Sequence, residues 1–234
     1  MAVGALWIAQ CVLFGIGMVG PWRDPPSARA NGRVPRSIRM ALSFSLVGAA
    51  ALIWAGSTAS SATYTRWVVA GMAASCVGDL VMARLIPLPN RLIGGMVAFG
   101  LAHACYITAF FTTAQRNGGD ILNPALWCAL AAYTIATASG WWVLIHNPQK
   151  QALLNTGALC YGLWISVMAS CGLALAWTLG GQWWLAAAGG LVFMASDFLI
   201  GVTDIRGTAI RNANDWIWLT YVGGQMGIIY AAWL

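Results

Sequence analysis

Charge is scarce in this chain: 8% of its 234 residues are Asp, Glu, Lys or Arg, against roughly 25% in a soluble domain. That shortage excludes a water-exposed globular surface. Histidine is rarer still, with only His103 and His146 present, so a three-histidine zinc hydrolase cannot be assembled. The six cysteines, Cys11, Cys76, Cys105, Cys128, Cys160 and Cys171, include no CxxC pair. They imply neither a disulfide framework nor a metal site and read as buried small hydrophobes. No metal and no cofactor is expected. The first apolar run lacks a basic segment before it, its arginines coming after, and so reads as a retained helix and not as a cleaved signal peptide.

What the chain has in quantity is apolar sequence, with 60% hydrophobic residues and a mean hydropathy of +0.72. Crossing a hydrocarbon core of about 30 Å takes roughly 20 apolar residues per helix. Eight runs qualify, at about Val3 to Gly20, Met40 to Gly56, Trp67 to Ile86, Leu92 to Thr112, Pro124 to Ile145, Ala152 to Leu179, Trp183 to Val202 and Asp215 to Leu234. The expected fold is all-α: a polytopic membrane protein with eight transmembrane helices in a single domain over residues 1–234.

With eight spans the odd-numbered loops share one side. They hold Arg23, Arg29, Arg33, Arg36 and Arg39, then Arg84 and Arg91, Lys150, and Arg206 with Arg211, whereas the even loops hold only Arg66 and Arg116. The positive-inside rule then puts the odd loops in the cytoplasm and both termini on the outer side, as expected for a multi-pass protein of the cell membrane. In that setting the net charge of +6 reads as anchoring beside anionic lipid and not as a nucleic-acid patch. Tryptophans near span ends, Trp22, Trp67, Trp141, Trp142, Trp183, Trp184, Trp216 and Trp233, read as an interfacial belt. Gly223 with Gly227, and Gly94, Gly95, Gly189 and Gly190, offer surface for close helix approach.

Two aspartates stand out against this background. A carboxylate at membrane depth costs at least roughly 2.5 to 3.5 kcal/mol unless it faces a partner or a wet cavity, and Asp79 and Asp197 both fall inside spans. At 1.5 Å per residue they lie about 10 Å and about 8 Å from the cytoplasmic ends of the third and seventh spans. The same count puts Tyr221 at about 9 Å, Tyr161 at about 14 Å, Gln225 at about 15 Å and His103 at about 16 Å, with Asn155 nearer the cytoplasmic end. Tyr221 and Gln225, four apart, share one helix face. The scarce polar groups of spans three, four, six, seven and eight thus collect in one slab, which predicts a cavity open to the cytoplasm. Two carboxyl groups in one low-dielectric cavity resist double ionisation, so the pair suits acid and base roles within one reaction. The blander alternative is structural: a histidine bonded between helices, tyrosines that pack, and a neutral carboxylic acid bonded to a neighbour.

The residues around these groups also carry a resemblance. Gly71 to Asp79, ending in Gly78-Asp79, is followed by Phe99-x-x-x-His103-x-x-Tyr106, then by Tyr161 with Met168, by Phe193 to Ser196-Asp197, and by Tyr221-x-x-x-Gln225. In order and spacing, over roughly Gly71 to Tyr230, this resembles the YhhN-type lysoplasmalogenase family. That family's Lys-Pro at the start of the second span is replaced here by Val34-Pro35-Arg36-Ser37-Ile38-Arg39, where Arg36 or Arg39 supplies the charge.

The resemblance implies an eight-span hydrolase that cleaves the vinyl ether bond of lysoplasmalogens to a fatty aldehyde and a glycerophospho-base, without a metal. The partners it implies are a lysophospholipid substrate and the bilayer. Vinyl ether hydrolysis needs one acid and one base, for which Asp79 and Asp197 are the candidates. His103, Tyr106, Asn155, Tyr161, Tyr221 and Gln225 are then expected to hold the carboxyls, the water or the substrate. Arg84, Arg91, Arg206 and Arg211 stand at the interface where they meet lipid phosphate or simply set topology. The competing function is a small proton-coupled transporter or channel with Asp79, His103 and Asp197 as a relay, against which stands the lack of a repeat relating the two halves. A third is a lipid-binding scaffold whose polar slab only specifies helix pairing.

Overall fold

A computed structural model describes residues 2–19, 32–59 and 61–233. Trp22, Arg23 and Arg29 lie outside the described residues. The described residues form eight α-helices and no strand: α1 Ala2–Val19, α2 Arg36–Ala55, α3 Ala62–Met82, α4 Arg91–Arg116, α5 Pro124–Gly140, α6 Ala152–Leu179, α7 Trp183–Ile200 and α8 Ala213–Tyr230. Six of them, α1, α2, α4, α5, α6 and α7, are long and apolar enough to cross a membrane, α5 and α7 together with the short turns that follow them. α3 and α8 fall short of that mark. They carry the polar groups: Arg66, Ser75 and Asp79 in α3, and Asn214, Asp215, Tyr221 and Gln225 in α8.

Helices α2, α3, α4, α6, α7 and α8 pack each against the next and close a ring, because α8 returns onto α2 and α3. α1 lies outside on α2, and α5 lies outside on α6. Leu42, Met72, Tyr106, Phe110, Met168, Phe193 and Ile228 fill the interior and are fully buried, whereas Val97, Leu101, Ile135, Leu153 and Trp177 are more than half exposed on the outside. Apolar side chains on both faces are the pattern of a helix bundle whose surroundings are also apolar.

The helix starts are written locally. Asn90 Oδ1 accepts from the Leu92 and Ile93 N–H groups before α4, and Asn123 Oδ1 accepts from Leu126 N–H before α5, whose first residue is Pro124. α5 and α7 each finish in a π-helical turn, Trp141–Ile145 and Gly201–Ile205. These turns meet, since a Cβ on Gly201 would stand 2.7 Å from Ile145 Cδ1. Asn147 Nδ2 then donates to the Ile205 carbonyl at 3.1 Å, and Arg206 donates to the His146 carbonyl. The fifth and seventh loops are therefore joined on one side of the bundle.

Three readings of the sequence are corrected here. Gly223 faces open space; the close crossing of α7 and α8 is made by Gly189, Gly224 and Gly227, where a Cβ on Gly189 would lie 2.6 Å from the Gly224 carbonyl oxygen. Two glycines four apart do not reveal which face meets the neighbour. Of the cysteines only Cys76 and Cys171 are buried; Cys105 is partly covered, and Cys11, Cys128 and Cys160 are exposed, because an apolar outer surface accepts a thiol as readily as the core does. Trp141 and Trp183 turn inward instead of serving only a belt: Trp141 Nε1 donates to the Asn155 carbonyl at 3.0 Å, and Trp183 stands edge-on to Tyr64 with ring centres 4.9 Å apart.

Candidate functional site

Asp79 is delivered by a close approach of α3 to α4. A Cβ on Gly78 would sit 2.8 Å from the Phe99 ring, and one on Gly71 would enter the Tyr106 ring, so both positions of this stretch require the missing side chain. Asp79, 4% exposed, accepts two hydrogen bonds on Oδ2, from Ser43 Oγ and from Tyr221 OH, each at 2.6 Å. Three helices, α2, α3 and α8, thereby meet on one carboxyl oxygen. Ser43 was not among the sequence candidates, although it follows Arg39 by one helical turn on the same face.

Asp197 is held from the other side. Tyr161 OH donates to its Oδ2, and His103 Nε2 lies 3.1 Å from the same phenol oxygen and 3.9 Å from the carboxylate. Since the tyrosine proton is committed to Asp197, the phenol oxygen is an acceptor for His103 Nε2–H. His103 Nδ1 is buried without a hydrogen-bond partner among the described residues, which assigns it as the bare nitrogen of a neutral ring. Phe193 separates the two carboxyl arrangements, with its ring centre 5.0 Å from that of His103 and 5.4 Å from that of Tyr221.

Tyr106 and Gln225 form a support deeper in the bundle. Tyr106 OH donates to Gln225 Oε1 at 2.7 Å, and Gln225 Nε2 donates to Ser75 Oγ at 3.0 Å. Neither residue reaches a carboxyl. Asn155 stands apart from the group altogether: its Oδ1 accepts from Asn147 N–H at 2.9 Å and its Nδ2 donates to the Asn147 carbonyl at 2.8 Å. Depth counting grouped it with the others because depth leaves the direction around the helix open.

Two cavities meet at this place. One, of about 570 Å³, is an apolar slot whose wall includes Leu92, Met96, Ala158, Ile165 and Leu191, with Thr137, Tyr161 and Asp197 among its few polar groups. The other, of about 650 Å³, is a polar chamber lined by Asp79, Tyr221, Arg36, Arg39, Arg84 and Arg91 among others. Met82, Phe99, Asp197 and Ile200 belong to both walls. His103, Tyr106 and Gln225 lie behind the lining. Arg206 and Arg211 are not part of it, whereas Arg84 and Arg91 are.

Asp204 and Trp218, which the sequence did not single out, also line the chamber. Arg91 pairs with Asp204 at 2.7 Å, and the Arg39 guanidinium lies over the Trp218 ring, 5.7 Å from its centre. Asp215 Oδ1 accepts from the Arg33 and Val34 N–H groups at 2.7 and 3.1 Å, which fastens the chain entering α2 to the start of α8. All these groups come from the ends of α2, α3, α4, α7 and α8 that adjoin the first, third and seventh loops. Those loops therefore share one side.

The arrangement combines paired carboxyls, each hydrogen-bonded by a tyrosine, at the meeting of an apolar slot and a basic chamber. No curated protein and no solved structure matches the chain. The model of the YhhN family does match, over residues 37–232, a stretch that runs from the second residue of α2 through α8 and takes in every residue of the carboxyl arrangement, and the chain belongs to the YhhN family.

Proposed function

We propose that the protein is a lysoplasmalogenase-type hydrolase that cleaves the vinyl ether bond of a single-chain phospholipid to a fatty aldehyde and a glycerophospho-base. What carries the reading is the place of Asp197 on the wall shared by the apolar slot and the polar chamber. A lysolipid has one tail, one polar head and, in the vinyl ether class, its scissile bond between them. With the tail in the slot and the head in the chamber, that bond lies beside Asp197.

The two cavities order the roles. The β-carbon of the vinyl ether belongs to the tail side, and Asp197 is the carboxyl that borders the slot, so it delivers the proton there. Asp79 borders only the chamber, where water enters, and acts as the carboxylate that stabilises the oxocarbenium ion and takes a proton from the attacking water. Water adds at the α-carbon, and the resulting hemiacetal breaks its bond to the glycerol oxygen, which leaves as the free hydroxyl. One water is consumed for one aldehyde and one alcohol. Tyr161 and Tyr221 orient the two carboxyls, and His103 fixes Tyr161.

In this proposal all eight helices span the cell membrane, with the arginine-rich ends facing the cytoplasm and both termini outside. α3 and α8 cross despite their polar residues because Ser75, Asp79, Tyr221 and Gln225 turn into the ring and find partners there, while Arg66 is exposed near the start of α3. The test is aldehyde release from lysoplasmenyl-ethanolamine by the purified protein in detergent. Asp79→Asn and Asp197→Asn are each expected to lose about 10²- to 10⁴-fold in rate. Turnover by the double variant at the wild-type rate would overturn the catalytic assignment.

A further inference from the structure

The polar chamber contains more positive charge than its aspartates occupy. Arg91 is engaged by Asp204 at 2.7 Å, while Asp79 and Asp197 are bonded by hydroxyl groups. Arg36 and Arg84 line the same chamber, and neither makes an ion pair among the described residues. Each stands on a fixed support. Arg36 opens α2 two residues after Val34, whose N–H, like that of Arg33, is held by Asp215.

Arg84 occupies a position that favours another residue. α3 ends in a closure in which Leu85 N–H reaches the Leu80 carbonyl at 2.9 Å and Arg84 N–H reaches that of Val81 at 3.0 Å. The residue at the turn must be left-handed, and Arg84 has φ of 59°. Glycine is the usual occupant, because any Cβ there crowds the following carbonyl. Arg84 thus holds a costly backbone conformation on the chamber wall, at an exposed position open to a ligand.

We propose that Arg36 and Arg84 form the binding site for the phosphodiester of a single-chain lipid, holding its head in the chamber while the tail fills the slot. The inference rests on the reading of the two cavities as one lysolipid site. A guanidinium suits this anion because its planar donor array matches phosphate oxygens.

Equilibrium binding in nanodiscs tests it without turnover. The probes are a 1-O-hexadecyl lysophosphoethanolamine, which has no vinyl bond to cleave, 1-O-hexadecylglycerol, which has no phosphate, and soluble glycerophosphoethanolamine. Wild type is expected to bind the phospho-ether at least tenfold more tightly than the other two. Arg36→Gln and Arg84→Gln should each shrink that gap about tenfold, and leave hexadecylglycerol binding unchanged. Arg84→Gly should weaken phospho-ether binding equally yet melt no lower than wild type, which separates lost charge from lost fold. A gap that survives both substitutions overturns the inference, and so does glycerophosphoethanolamine binding as tightly as the lipid, since that makes the arginines a site for a free phosphodiester. If the gap behaves as expected while no aldehyde is released from lysoplasmenyl-ethanolamine, the phosphate site stands and the proposed reaction falls.

Discussion

Tyr221→Phe is the most informative single change in the site. It deletes one hydroxyl that donates to Asp79 Oδ2 at 2.6 Å and leaves Ser43 as the second donor to the same oxygen. A hydrogen bond to a charged acceptor contributes about 1.5–3 kcal/mol, which corresponds to roughly 10- to 150-fold in rate if the bond is needed when Asp79 carries charge. The ring itself stays in place, because its contacts with Phe99, Phe193 and Trp218, at centroid separations of 6.0, 5.4 and 5.2 Å, do not involve the hydroxyl. The expected result is a drop of one to two orders of magnitude in kcat for aldehyde release, with KM and the thermal midpoint nearly unchanged. Ser43→Ala should act in the same direction, and the double variant should lose more than the product of the two, since Asp79 then has neither donor. If Tyr221→Phe keeps kcat within twofold while Asp79→Asn is inactive, the hydroxyl does not serve the carboxyl and the reasoning fails.

Further expectations follow from the packing. Gly189→Ala drives a methyl toward the Gly224 carbonyl, which stands 2.6 Å from the Cβ position, and should destabilise by about 1–3 kcal/mol; Gly223→Ala, in open space, should be neutral or stabilising by about 0.5–1 kcal/mol, and thermal unfolding of the pair reads the difference. Asp215→Ala leaves the Arg33 and Val34 N–H groups without their acceptor and should lower stability by about 1–3 kcal/mol, seen in the same assay. Ala158→Phe narrows the apolar slot and should raise KM for long-chain substrates more than for short-chain ones, measured as aldehyde release across a chain-length series.

Much of the site could be read from the sequence because polar residues are costly in apolar segments and therefore conspicuous there. Asp79, Asp197, Tyr161 and Tyr221 were singled out on that ground, and all four reach the two cavities. Ser43 and Ser75 escaped notice because a serine hydroxyl can satisfy itself on its own helix and so is common in such segments. Asp204 and Asp215 escaped because they sit near span ends, where charge is unremarkable. Asn155 was included on depth alone, and its side chain turned out to close the fifth loop.

By itself the sequence determined the all-helical class, the approximate limits of the helices and the residues whose polarity demands a partner, since each depends on composition along one dimension. Which polar residues share a partner was decided only by the tertiary structure. Two residues at equal depth can stand on opposite sides of a bundle, and the order of helices around the ring, α2 beside α8 and α4 beside α6, is set by side-chain complementarity between segments distant in the chain. That order puts Ser43, Asp79 and Tyr221 on one oxygen, and sets Asp197 where an apolar slot and a basic chamber meet.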